Sequence, residues 1–343
     1  MRFSAIGDVA MTIPVVYEVC RANPDVRFVY VSRPSMTTMM VNRPENLTLH
    51  PADVSGNYKG VRGMRRLYRE LRDAYGFDAL ADLHSVLRTS MVSLFARFGG
   101  ARVARLDKDR RGRRRLTRNS GDKALCQMRP MVMRYADVFA RLGLKPGGRF
   151  TSLWGPEGAP DEAYAAITGP KPEGERWMAV APFAKHPGKI YPPEKTRAVV
   201  EALIAEHPDL RIFLFGGGES EKQTLSGWAR EIERVTSLAG ERYGFPAELA
   251  LMSKLDAALT MDSANMHLCS LVGVPVVSVW GATHPYAGFR GYGQRADLAV
   301  QLAMSCRPCS IFGNKPCVRG DYHCLAGIPP RAIIERVNTI LEK

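Results

Sequence analysis

No stretch of eighteen apolar residues occurs in the 343-residue chain, so no membrane-spanning helix is expected. No leader precedes the first strand, since Met1 runs directly into it, which argues against a signal peptide and for a cytoplasmic protein with reduced thiols. The GxGxxG spacing is missing, which argues against a nicotinamide cofactor; the GxxxxGK-S/T loop is missing too, which argues against a P-loop ATPase. Acidic residues are scarce: 34 Asp and Glu against 48 Lys and Arg leave a net charge of +14. The imbalance is concentrated between Lys59 and Arg118, where 17 basic residues stand against 6 acidic ones, most densely at Arg110-Arg111-Gly112-Arg113-Arg114-Arg115. Such a block is either solvated or attracts polyanions, and nucleic acid, an anionic membrane surface and a phosphorylated substrate all fit its sign. The block has no interleaved aromatics, so a base-stacking surface for single-stranded nucleic acid is not indicated. Internal repeats are absent.

The length exceeds the usual single domain, and an apolar fraction of 45% can fill two cores. Short apolar runs alternate with helical patterns, the signature of βα units in parallel sheets. The expected division is residues 1–155 as an N-terminal domain, 156–176 as a Gly/Pro-rich linker, 177–329 as a C-terminal domain, and 330–343 as a last helix that packs back on the first domain. Each half reads as a β/α sandwich, and a cleft between two such domains is a natural ligand site.

The stretch most informative about chemistry is Met261 to Gly281. Ala257–Met261 reads as a buried strand, Asp262-Ser263 as its end, residues 265–272 as a helix, and Pro275–Trp280 as the next strand. A turn at the carboxyl end of such a strand opens onto the crevice where α/β proteins bind ligands, and the free N–H groups of the following helix favour an anion. Asp262 or Ser263 serves as N-cap, and His267 is either a core residue or a ligand contact. Arg2–Ile6 is expected as a short strand, with Asp8 capping the helix after it and Pro14 forcing a kink or a late start. The strand is short for a central position: either it is truncated or translation starts upstream. Lys185, His186 and Lys189 follow the strand ending at Phe183, where a lysine can neutralise a leaving diphosphate. Glu219 follows Gly216-Gly217-Gly218 and either holds ribose hydroxyls or is solvated. Cys306, Cys309, Cys317 and Cys324 form CxxC-x7-C-x6-C and either bind structural zinc, form disulfides or stay reduced.

Together these pieces resemble glycosyltransferase family 9, the ADP-heptose:lipopolysaccharide heptosyltransferases. The resemblance rests on Phe3-Ser4-Ala5-Ile6-Gly7-Asp8-Val9 with Pro14, on Lys189-Ile190-Tyr191-Pro192, on Gly217-Gly218-Glu219, and on Asp262-Ser263-Ala264-Asn265-Met266-His267-Leu268 with Gly273-Val274-Pro275 and Gly281-Ala282-Thr283-His284-Pro285. Ala264 stands where the family usually has Gly, and Asn265 where it has Pro or Leu. The resemblance implies a GT-B fold, two Rossmann-like β/α/β domains facing each other across a cleft. It implies an inverting transfer of heptose from ADP-heptose without metal or other cofactor. Asp8 would be the general base and Lys189 the counter-charge to the leaving ADP. Glu219, Asp262, Ser263, Ala264, Asn265 and His267 would bind the donor. Arg62, Arg65, Arg66, Arg88, Arg113 and Arg114 would meet an acidic acceptor, Kdo-lipid A or a phosphorylated inner core, at the cytoplasmic face of the inner membrane. A family-9 enzyme using another nucleotide sugar and a basic nucleic-acid-binding protein are the alternatives.

Overall fold

The structure is a computed structural model that describes residues 1–118 and 125–342. The chain divides into two compact units. The first is Met1–Asp109 with Arg129–Phe150, and the second is Arg110–Met128 with Thr151–Lys343.

In the first unit α1 (Ile6–Ala10) and α2 (Ile13–Ala22) are followed by β1 (Phe28–Ser32), α3 (Pro34–Thr37) and β2 (Leu47–Pro51). Then come α4 (Gly60–Tyr75), β3 (Ala79–Asp82), α5 (Leu87–Phe98) and β4 (Arg102–Arg105). After α6 (Arg110–Leu116), which belongs to the second unit, α7 (Met131–Ala140) returns to the first. β1 pairs with β2 and β3 with β4, both in parallel. Met1–Phe3 is extended between these pairs. The Arg2 N–H donates to the Val31 carbonyl at 3.1 Å, and the Leu83 N–H to the Met1 carbonyl at 3.2 Å. α4 shows why this half folds: Met64, Leu67, Tyr68 and Leu71 recur at helical spacing and are buried, leaving Arg62, Arg65 and Arg66 on the outer face. Gly76, with φ of 56°, ends the helix in the left-handed region.

Several expectations for this half are corrected. The predicted strand Arg2–Ile6 shortens to an extended segment because α1 already begins at Ile6, capped by Ala5. Asp8 is therefore the third residue of α1 and not its cap. The single helix expected after it is two, and Pro14 lies in the first turn of α2, the late start that a missing N–H permits. α7 begins at Met131, with Pro130 at its N-cap.

The second unit carries β5 (Arg176–Ala181), α8 (Pro193–Glu206), β6 (Leu210–Leu214), α9 (Glu219–Glu231), β7 (Val235–Ser237), α10 (Gly244–Met252), β8 (Ala257–Met261), α11 (Ala264–Leu271), β9 (Val276–Trp280) and β10 (Ala299–Gln301). α12 (His323–Ala326) and α13 (Pro330–Leu341) complete it. Among the described residues the sheet order is β10-β9-β8-β5-β6-β7, all parallel. β5 and β8 are buried at nearly every position, as parallel strands covered on both faces must be. β10, three residues of Ala-Val-Gln, is too short and polar to be read from sequence.

Ile333, Val337 and Leu341 of α13 join the core of the second sheet, with α8 alongside. The expected linker is structured: Tyr164 is fully buried, with its ring 6.1 Å from that of Trp177. The arginine block forms helix α6, which belongs to the second unit.

Candidate functional site

The order of the second sheet reverses between β5 and β8, neighbours that are not consecutive in sequence. Ligands of open parallel sheets bind outside the carboxyl ends of the strands at such a switch point. The loops leaving these two strands carry Lys189 and Asp262. Pro187–Lys189 forms one turn of 3₁₀ helix, and Lys189 Nζ lies 2.9 Å from Asp262 Oδ2. Both side chains are largely enclosed, at 16% and 5% exposure. Asp262 thus fixes the lysine in place. Beside them, burial and the charges of Lys185 and Lys189 hold His186 below its ordinary value, a sign of concentrated positive charge.

Ser263 is the N-cap residue of α11, yet its side chain makes no capping hydrogen bond. Its Oγ is buried without a hydrogen-bond partner among the described residues, as are Oγ1 of Thr260 and Thr283. The amino end of α11 is therefore left without a side-chain cap beside a fixed cation, the arrangement that suits an oxyanion. Ala264 and Asn265 are half-buried in the first turn, and His267 is buried one turn on. The turn after β9 packs tightly on the lysine loop. The Ala282 N–H donates to the Gly188 carbonyl at 2.8 Å, and a Cβ at position 281 would meet that oxygen at 2.7 Å, so Gly281 permits the approach. Arg307 clamps the same turn from behind, with its guanidinium donating to the carbonyls of Gly281, Trp280 and Thr283.

Glu219 is the first residue of α9 and is exposed. Its neighbour Glu221 is engaged, accepting from the Gly217 N–H at 2.7 Å and so holding the glycine loop.

In the first unit Asp8 Oδ2 lies 2.8 Å from the Arg2 guanidinium and accepts weakly from the Ala5 N–H at 3.4 Å. Arg2 is 6% exposed and is itself fixed, donating to the Leu83 carbonyl at 2.6 Å and standing over the Tyr135 ring. A guanidinium beside it favours the charged carboxylate. Nothing in the sequence reading singled out Arg2; its only signal was its place next to the Asp8 turn.

His84 is the other residue of this region. The Phe3 N–H points at its Nδ1 at 3.4 Å, and its turn is shaped by the buried Asp82 carboxylate, which accepts from the His84 and Ser85 N–H groups and pairs with Arg105. Burial first, then Arg2 and Lys108, lower His84 to about 4. The unfolded chain therefore takes up this proton more readily than the folded one. The contribution of neutral His84 is complete above about pH 6.5 and is lost as pH falls toward 4. Between pH 7 and 4.5 the wild type should lose on the order of 2 kcal/mol more unfolding free energy than His84→Asn, after allowance for partial exposure. Urea titrations at the two pH values measure this, and equal losses would remove His84 from the acid response.

The arginines separate. Arg62, Arg65 and Arg66 are exposed on α4, with Arg66 over the Tyr58 ring, and Arg88 is exposed at the start of α5. Arg114 is exposed on α6, whereas Arg113 stands 5.5 Å from the Phe289 ring and 5.4 Å from that of Phe312. That contact gives Arg113 a packing role in the second unit.

All seven cysteines are free of disulfides. Cys306, Cys309, Cys317 and Cys324 line one cavity of about 20 Å³, and among the described residues no group of three or more His, Cys, Asp or Glu is arranged to hold a metal ion. Burial raises the Cys317 thiol, but N–H groups of Tyr322, Arg319, Gly320 and Asp321 outweigh it and leave the thiol below its ordinary value. Burial pushes Cys324 up to about 11. The Cys309 and Ser310 N–H groups both donate to the Ala282 carbonyl at 3.1 Å, so this segment braces the turn beside Lys189.

An all-parallel sheet with this switch point, in a chain holding a further α/β unit, is a fold of the GT-B class. The chain belongs to glycosyltransferase family 9: residues 64–318 match the family model described as glycosyltransferase family 9 (heptosyltransferase). It is similar to lipopolysaccharide heptosyltransferase 1 of Pseudomonas aeruginosa, at 22% identity over 90% of this chain and 84% of that one. Its fold is shared with a family 9 glycosyltransferase from Veillonella parvula, with a TM-score of 0.72, 19% identity, and coverage of 99% and 96% of the two chains. It is also shared with the E. coli heptosyltransferase WaaC solved with ADP, with a TM-score of 0.67, 16% identity and 98% coverage of each.

Proposed function

We propose that this glycosyltransferase moves heptose from ADP-heptose to an inner-core lipopolysaccharide acceptor, inverting the anomeric centre. The observation that carries the reading is the meeting of Lys189 with the uncapped start of α11 at the β5/β8 switch point. The relatives are heptosyltransferases, and one was solved with ADP, which supports an adenosine diphosphate as the anion.

In this reading the acceptor hydroxyl attacks C1 of the sugar as its bond to the diphosphate oxygen breaks. Asp8 takes the hydroxyl proton, and ADP leaves with the bonding electron pair. Lys189 and the first N–H groups of α11 meet the charge that grows on the leaving diphosphate, a role met here by side chains and peptide dipoles rather than metal. Glu219 holds the ribose. Asp262 keeps Lys189 aimed, and Arg2 keeps Asp8 charged and oriented. Arg62, Arg65, Arg66, Arg88 and Arg114 meet the acidic acceptor and the headgroups around it, each contributing about 1 kcal/mol near an anionic surface. The enzyme then works as a peripheral protein at the cytoplasmic face of the inner membrane. Among the described residues no helix is long and apolar enough to cross a membrane.

The test is a donor panel. ADP-heptose and other nucleotide sugars are each incubated with Kdo-lipid A, and the products are weighed by mass spectrometry. Addition of one heptose from ADP-heptose alone is expected. Transfer only from another donor would keep the family and overturn the sugar.

A further inference from the structure

A surface helix ordinarily buries its large apolar residues and turns polar ones to water. α5 reverses this. Its buried positions are the smaller residues Thr89, Val92, Ser93 and Ala96. Its outer positions carry Leu87, Met91, Leu94 and Phe98, at spacings of four, three and four. Leu94 is 50% exposed, Leu87 79% and Phe98 82%, the last two being the highest values for any large apolar side chain among the described residues. At 100° per residue the four positions fall within a sector of about 60° and run roughly 16 Å along the axis. Arg88 and Arg97, both exposed, stand about 80–100° to either side, so the ridge carries a guanidinium on each flank.

The neighbouring helix extends the charge. α4 packs along α5, with the Tyr68 and Phe95 rings 6.0 Å apart, and presents Arg62, Arg65, Arg66 and Arg69 to water. α5 contains no acidic residue, and the two of α4 are already engaged, Glu70 with Tyr58 and Arg66, and Asp73 with Arg72. Among the described residues Arg62, Arg65, Arg69, Arg88 and Arg97 form no ion pair. The ridge also starts beside the chemistry. Leu87 follows closely on Leu83, whose carbonyl is held by Arg2, the arginine that pairs with Asp8.

We infer that α5 seats this protein on an anionic lipid bilayer, with Leu87, Leu94 and Phe98 passing below the headgroups and Arg88 and Arg97 staying among their phosphates. A convex ridge suits a fluid surface, and long arginine stems lie along it while their charged ends remain in water. A second copy of the chain fits poorly, because it would bring two sets of unpaired arginines face to face. The peripheral attachment proposed above thereby gains a defined face. Resting on that reading, the acceptor sugar reaches Asp8 while its lipid stays in the bilayer.

Co-sedimentation with vesicles of equal parts phosphatidylglycerol and phosphatidylethanolamine compares the wild type with Leu87→Ser/Leu94→Ser/Phe98→Ser. Phosphatidylcholine vesicles form the uncharged arm. The triple variant should bind the anionic vesicles at least about tenfold more weakly, with Tm within about 2 °C, because all three side chains already face water in the free protein. The wild type should bind phosphatidylcholine at least about tenfold more weakly than the anionic mixture. Phe98→Trp should add emission that lipids brominated on their acyl chains quench. Equal affinity of wild type and triple variant for anionic vesicles would overturn the ridge, as would emission from Phe98→Trp indifferent to acyl-chain bromine. A dimer abolished in the triple variant, without vesicle binding by the wild type, would give the ridge to a second copy and overturn the lipid partner. These assays contain neither donor nor acceptor, so vesicle binding through the ridge would stand even if the donor panel overturned heptose.

Discussion

Asp8→Asn is expected to lower kcat by about 10²–10⁴-fold while leaving the ADP Kd within about twofold. Asn fills the same volume and can still accept from the Ala5 N–H, but it cannot take a proton from the acceptor. The substitution also removes the charge that pairs with Arg2 at 2.8 Å. Arg2 keeps its bond to the Leu83 carbonyl and its place over Tyr135, so the fold should survive. Tm separates the roles: a merely structural aspartate would lose activity in step with stability, whereas a base loses kcat in a protein that still melts cooperatively. Near-normal turnover in Asp8→Asn would remove Asp8 as the base.

Lys189→Ala carries the second large effect. A charge-assisted hydrogen bond to phosphate contributes about 1.5–3 kcal/mol, which is roughly 10- to 150-fold in the ADP Kd. The loss should exceed that of a lone lysine because Asp262, 5% exposed, is left as an unpaired carboxylate facing the diphosphate. Lys189→Ala combined with Asp262→Asn should therefore bind ADP more tightly than Lys189→Ala alone. Calorimetric titration of the three proteins checks this. An ADP Kd unchanged by Lys189→Ala would reassign the counter-charge to Lys185.

What could be read in advance follows from what each signal depends on. The second unit was legible because β5 and β8 are continuous apolar runs and the turns after them carry polar residues at fixed spacing, both local properties. Lys189, Ser263 and Glu219 could be placed at strand ends for that reason. That Lys189 pairs with Asp262 was not legible, because it depends on β5 lying beside β8 across a reversal in strand order. Arg2 escaped notice because a lone arginine near a terminus looks solvated, and only its burial against Asp8, Leu83 and Tyr135 gives it a role. The contact of Arg113 was not legible either, because the two aromatic rings it stands against lie more than 170 residues away in sequence. That α13 packs on the second sheet was not legible, because its amphipathic pattern states that a face is buried but not against what.

The central claim is that a diphosphate rests between Lys189 and the start of α11. A crystal structure of the protein with ADP tests it most directly. The account predicts diphosphate oxygens within hydrogen-bond distance of Lys189 Nζ and of the N–H groups of residues 264 and 265, with ribose hydroxyls on Glu219. ADP bound with its diphosphate away from both Lys189 and α11 would contradict it.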